Sequence, residues 1–221
     1  MSIGNYTYGN PTILWNSDSN QFKCGKFCSI SINVTIFLGG NHRVDWITTY
    51  PFGHIHQNTF TNFDGTGHPS SKGPVIVGND VWIGMFTTIM SGVTIGDGVV
   101  IACNSHVVKN CEPYGIYGGN PAQLIKYRFS SEQIYKLLEI KWWNWTIEKI
   151  NDNLLLLCNS NIDYFITKHF IDRLVNTDEQ QLVNTDEQQL VNTDGQQLVN
   201  TDGQQLVNTN GQQLVNTDEQ I

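Results

Sequence analysis

The residue best suited to chemistry in this sequence is His42, within Gly39-Gly40-Asn41-His42-Arg43-Val44-Asp45. An imidazole titrates near neutrality, so it can take the proton from an alcohol or amine as that group attacks an electrophile. Asp45 or Asp64 could orient the ring, and a backbone carbonyl could do the same. His54 and His56 form an H-x-H pair, with His68 further along. As zinc ligands they would need a third partner and an open position for water. No metal is expected, and they are read instead as shaping an acceptor pocket together with Trp46, Tyr50 and Phe52.

These residues fall in one stretch, 42–74, that has no periodicity but is rich in aromatic side chains (Trp46, Tyr50, Phe52, Phe60, Phe63). Long insertions without secondary structure are usually functional or disordered, and the aromatic content argues for order. What must position the stretch is the repeat on either side. From Val77 to Glu112 an aliphatic β-branched residue recurs every six positions (Val77, Ile83, Ile89, Ile95, Ile101, Val107). A smaller residue follows each one four later (Val81, Thr87, Val93, Val99, Ser105, Cys111). A period of six fits neither a helix nor an alternating strand. It suits a three-sided coil whose turns stack and bury both positions, so the fold class expected is all-β, a parallel β-helix of hexapeptide repeats. Residues 24–41 supply an earlier turn before the period breaks at Asn41-His42.

These patterns set the boundaries. The coil with its inserted loop 42–74 is expected over 1–128. A helical cap closing the open end is expected over 129–173, beginning with a capping box at Ser130 and Gln133. The tail, 174–221, repeats Leu-Val-Asn-Thr-Asp-Glu-Gln-Gln with small changes. Two apolar residues in eight cannot offset an ordering cost of roughly 1–2 kcal/mol per residue, so disorder is expected there. The net charge of −8 lies entirely in that tail, because residues 1–173 carry 12 basic and 12 acidic side chains. A neutral body argues against nucleic acid as a partner. Five cysteines, several at inward positions, read as core residues in a reducing compartment. Nothing resembles a signal peptide or a membrane span, so no membrane insertion and a cytoplasmic location are expected.

Several segments together carry a resemblance: G-G-N-H-R-V-D-W-I-T-T-Y-P-F, G-N-D-V-W-I-G, I-M-S-G-V-T-I-G-D-G, Y-G-G-N-P-A and I-K-W-W-N-W. The chain resembles the xenobiotic-acetyltransferase branch of the hexapeptide-repeat acyltransferases, which includes streptogramin and type B chloramphenicol acetyltransferases and O-acetyltransferases of capsules and lipopolysaccharides. The resemblance implies a left-handed coil, a homotrimer with sites between subunits, acetyl-CoA as donor and His42 as general base in a direct transfer. It implies coenzyme contacts at Gly84 and Met85, at Ala102 and Cys103, at Val108 and Lys109, and at Lys126 with Arg128 nearby, the basic residues serving the phosphates. Lys109 and Lys126 could equally be solvated corners. Amides near Gly84 could steady an oxyanion. Trp82 is expected to face outward, packing between subunits or walling the coenzyme channel.

The polar, His-rich loop suits sugar hydroxyls, so a saccharide acceptor on a surface polysaccharide or its precursor is the first expectation. A streptogramin or chloramphenicol is the second. A non-catalytic assembly platform is the third.

Overall fold

The computed structural model describes residues 1–170, 199–201 and 204–207. The chain divides into two compact units, Met1–Ser160 and Asn161–Ile221. In the first unit, short strands form at the β-branched positions and the chain turns at the residues between them. The first turn of the coil carries β1 (Ser2–Ile3) and β2 (Thr12–Leu14). The second carries β3 (Phe22–Cys24), β4 (Ser29–Ile30) and β5 (Thr35–Phe37). The third carries β6 (Val75–Val77), β7 (Trp82–Ile83) and β8 (Thr88–Ile89), and the fourth β9 (Thr94–Ile95), β10 (Val100–Ile101) and β11 (His106–Val107). Two longer strands come next, β12 (Gly115–Gly119) and β13 (Ala122–Tyr127).

Stacking produces three faces. Face A is β1-β3-β6-β9, face B is β4-β7-β10-β12-β13 and face C is β2-β5-β8-β11. Pairing is parallel throughout except between β12 and β13, which form an antiparallel hairpin. Register places like on like: Ile30, Ile83, Ile101 and Tyr117 stack on face B, and Ile13, Ile36, Ile89 and Val107 on face C. Every residue of the sixfold pattern from Val77 to Cys111 points inward, none more than 4% exposed. Each buried Val or Ile contributes roughly 1.5–3 kcal/mol, so this interior is the main source of stability. The two hydroxyls in it, Thr87 Oγ1 and Ser105 Oγ, both donate to the Ala102 carbonyl, at 3.3 and 2.6 Å.

The three edges differ. At edge AB one residue per turn is left-handed: Tyr6, Phe27, Asp80, Gly98 and Tyr114, with φ from 54° to 67°. At edge BC the equivalents are Asn33, Phe86 and Asn104. Edge CA is interrupted after Gly40, and the chain re-enters the coil at β6.

Residues after β13 form α1 (Ser131–Ile140), a 3-10 turn at Trp142–Asn144, α2 (Ile147–Asp152) and α3 (Leu154–Leu157). The capping box at Ser130 and Gln133 is present as expected. Their contacts run along edge AB to the last turn of the coil. Trp142 packs on Phe27 at 4.8 Å, Lys26 Nζ donates to Asn144 Oδ1 at 3.0 Å, and α1 borders a cavity of about 330 Å³ with Glu112, Pro113 and Tyr127.

The second unit contains a helix over 162–170 and an antiparallel pair, β14 (Val199–Thr201) with β15 (Gln204–Val207). The expectation of disorder over the rest of 174–221 falls outside the described residues. Among the described residues no helix is long and apolar enough to cross a membrane.

Candidate active site

The loop that carries His42 leaves the coil at edge CA through Gly40. This glycine has φ +76°, and a Cβ there would lie 2.5 Å from the Trp15 ring, so only glycine fits. Asn41 and Ser70 then clasp the loop's two ends. Each donates its amide to the other's carbonyl, at 3.0 and 2.8 Å. Asn41 Nδ2 also reaches Ser91 Oγ at 3.1 Å, and the same oxygen accepts from Lys72 N at 3.2 Å. Ser91 is buried in the third turn of the coil. The loop is therefore tied to the scaffold on both strands of its neck.

His42 follows the clasp directly and its side chain is exposed. Its Nδ1 lies 2.7 Å from the Thr49 carbonyl. A carbonyl only accepts, so Nδ1 carries the proton and Nε2 presents a lone pair. The orienting group is thus the backbone carbonyl, and neither carboxylate takes that role. Asp45 pairs with Arg43 through both oxygens, and the guanidinium holds its carboxyl down at about 2. Asp64 accepts from the Thr66 amide at 2.9 Å.

The same loop holds a cavity of about 390 Å³, lined by Trp46, Thr48, Tyr50, Phe52 and Phe63. Thr48 and Tyr50 flank the residue whose carbonyl holds His42. The rings brace one another: Tyr50 on Phe52 at 4.7 Å, Phe52 on Phe60 at 4.9 Å, and Trp46 on Phe63 at 5.8 Å. Arg43 covers Trp46 from 5.3 Å. Trp46, Tyr50 and Phe52 thus lie together as expected, while Thr48 and Phe63 join them without having been singled out. Phe63 could have been found from its aromatic character alone, but Thr48 gave no signal.

His54 and His56 do not line the cavity. His54 Nε2 lies 2.7 Å from the His68 carbonyl and 3.3 Å from that of Gly65, so it binds the two halves of the loop together. His56 sits at a turn with φ 55°, its carbonyl accepting from Thr59 and Phe60. His68 is brought against His42 instead, ring centroids 4.7 Å apart and planes at 88°. Among the described residues no group of three or more His, Cys, Asp or Glu side chains could hold a metal ion.

The coenzyme candidates are distributed over all three edges. Gly84, Met85, Ala102 and Cys103 come together at edge BC, where a Cβ on Gly84 would lie 2.6 Å from Cys103 N and Asn104 N donates to Met85 O at 2.8 Å. Met85, Phe86 and the outward-facing Trp82 expose an apolar strip there. The Gly84 amide itself donates to Ile101 O at 2.8 Å, so it serves the ladder and not an oxyanion. Val108 and Lys109 lie at edge CA, the same edge as His42. Lys126 lies on β13 opposite Ile116, towards edge AB. Neither lysine is in an ion pair among the described residues. Arg128 is engaged inward: Nη1 donates to Gly98 O at 2.7 Å, approaches Asp80 at 3.5 Å, and the guanidinium covers Tyr114 and Phe129. That arrangement makes it a tie across edge AB and removes it from the phosphate set.

Comparison with known proteins agrees with the sixfold pattern. A sequence model described as bacterial transferase hexapeptide, six repeats, matches residues 74–109. A probable macrolide acetyltransferase from Lysinibacillus sphaericus is 52% identical over 134 residues, covering 60% of this chain and 74% of its own. A chloramphenicol acetyltransferase from Klebsiella aerogenes is 43% identical over 148 residues, covering 66% and 70%. A virginiamycin A acetyltransferase from Staphylococcus aureus is 43% identical over 140 residues, covering 63% and 64%.

Proposed function

This chain belongs to the hexapeptide-repeat acetyltransferases, within their xenobiotic-acetyltransferase branch, and on that premise we propose that it O-acetylates an antibiotic-like acceptor with His42 as general base. The enzyme is an acetyltransferase and acetyl-CoA is its donor. The observation that carries the acceptor class is the cavity in the loop that bears His42, walled by four aromatic rings and Thr48. Aromatic walls gain most from burying an apolar body, and the hydroxyls of Thr48 and Tyr50 can fix the orientation of a polar group. This favours the second of the two acceptor expectations over the first. A saccharide is the remaining reading, since the same rings can pack on the apolar face of a pyranose.

In the proposed reaction His42 Nε2 takes the proton of the acceptor hydroxyl as its oxygen attacks the thioester carbonyl. The carbon–sulfur bond breaks and the thiolate leaves. The imidazolium formed is stabilised by the Thr49 carbonyl at Nδ1. His42 and the Gly84–Cys103 cluster lie at different edges of one coil, with face C between them. A site that includes both draws them from two copies, which supports the homotrimer and the left-handed coil of the family. Lys109 and Lys126 would then meet the coenzyme phosphates, and a cytoplasmic enzyme is the reading consistent with free access to acetyl-CoA.

The test is release of coenzyme A from acetyl-CoA in the presence of chloramphenicol, a macrolide, a streptogramin and acetyl-free capsular glycan. Turnover is expected with one of the antibiotics, and turnover with glycan alone would reverse the acceptor class. Replacing His42 by Ala is expected to lower kcat by roughly 10²–10⁴-fold with little change in the KM for acetyl-CoA. Wild-type turnover by that variant would remove His42 from the mechanism.

A further inference from the structure

His42 is not the only imidazole at the neck of the loop, and the arrangement of its neighbour has no role in the reaction as described. The ring of His68 stands edge-on to that of His42, with centroids 4.7 Å apart. His54 holds His68 in turn, by its contact with the His68 carbonyl at 2.7 Å and by ring packing at 5.1 Å. Both ring nitrogens of His68 are shielded and have no hydrogen-bond partner. A neutral imidazole tolerates this with one unpaired N–H, but an imidazolium would have two unpaired donors.

We propose that His68 is a positioning residue: a ring kept neutral that fixes the rotamer of His42 and leaves His42 as the only member of the pair able to hold a proton. Two imidazoles this close cannot both be charged cheaply, so the pair holds at most one positive charge. The local contacts decide its place. His42 has the Thr49 carbonyl to accept from Nδ1–H, whereas His68 has no acceptor. Desolvation lowers the His68 value first, and the neighbouring His42 and His54 lower it further. During transfer the proton therefore settles on His42, and the adjacent ring stays uncharged through the pH range in which the enzyme works. This inference rests on His42 being the base.

The experiment compares full-length wild type with His68→Ala, His68→Phe, His68→Arg and His42→Ala, measuring the pH dependence of kcat and the KM for acetyl-CoA, with a thermal midpoint for each. His68→Ala is expected to lower kcat by about tenfold or more with the acetyl-CoA KM unchanged, because a mispositioned base loses rate and not coenzyme binding. His68→Phe keeps a neutral ring, so kcat is expected within about threefold of wild type with the acid limb of the profile in place. His68→Arg puts a fixed charge beside His42 and is expected to move the acid limb to lower pH, since a like charge disfavours the imidazolium. A His68→Ala enzyme with wild-type kcat, or a His68→Phe enzyme no better than a folded His68→Ala enzyme, would overturn the proposal. So would an acid limb unmoved by His68→Arg in a folded, active enzyme. If His42→Ala is inactive while the His68 variants behave as wild type, only the role of His68 falls. If His42→Ala is itself fully active, the base assignment falls with it.

Discussion

At the scale of single residues, the proposed base, His42, is oriented by a main-chain atom. The Thr49 carbonyl accepts from His42 Nδ1, while Asp45, three residues along the chain, is held charged by Arg43 and turned away. Replacing Asp45 by Asn is therefore expected to leave kcat within about twofold, because its ion pair is exposed and such pairs contribute little. The acid limb of the pH profile is expected to stay where it is, and a marked shift would mean that the carboxylate acts on His42 after all. The choice of His42 as the proposed base rests on the break in the repeat. Its orienting partner was not legible in the sequence, because a carbonyl carries no side-chain signature and is found only when the loop's path is known. The same applies to His54 and His56. Their alternation suggested a shared pocket, yet the chain turns between them, so one ring reaches backbone carbonyls across the loop and the other sits at the turn.

At the scale of elements, edge AB is where the coil is tied to the helical segment. Burial raises the Asp80 carboxyl above its ordinary value, and Arg128 pulls it partly back. A raised value in the folded state means that protonation favours the fold, with the benefit lost as pH rises through that value. Replacing Arg128 by Leu leaves the carboxylate without its cation. The expected cost near pH 7 is about 1–3 kcal/mol, modest because both side chains keep about 30% exposure. The loss is expected to shrink as pH falls towards 5, which denaturant titrations at two pH values would reveal. An equal loss at both would mean that Arg128 acts through its ring contacts and its bond to the Gly98 carbonyl, without the Asp80 charge. The sixfold pattern foretold the inward positions residue by residue, since a period of six with two small corners has one way to bury itself. It did not foretell β13, because the regular period stops at Glu112. The apolar and aromatic residues Leu124, Ile125 and Tyr127 were the available signal for a returning strand. Nor did it place the helical segment, whose amphipathic face matches any flat apolar surface.

At the scale of the whole molecule, the proposed assembly is a trimer of about 75 kDa, three copies of a 24.9 kDa chain. Trp82, 55% exposed on face B, belongs to the outward surface that such packing would cover. Replacing Trp82 by Asp is expected to shift the assembly towards monomers at micromolar concentration, read by sedimentation. A variant that stays trimeric with a raised KM for acetyl-CoA would instead assign Trp82 to the coenzyme channel. The neck at Asn41 and Ser70 has a consequence for how such a protein can diversify. The chain leaves the coil and rejoins it at one clasp, and the strands on either side keep their register across the gap, β3 on β6 and β5 on β8. Doubling the length of a flexible loop adds only about 0.6 kcal/mol of closure entropy. The cavity-lining side chains between the clasp residues can thus vary in kind and number, so that new acceptors are acquired while His42, His68 and the scaffold beneath are inherited intact.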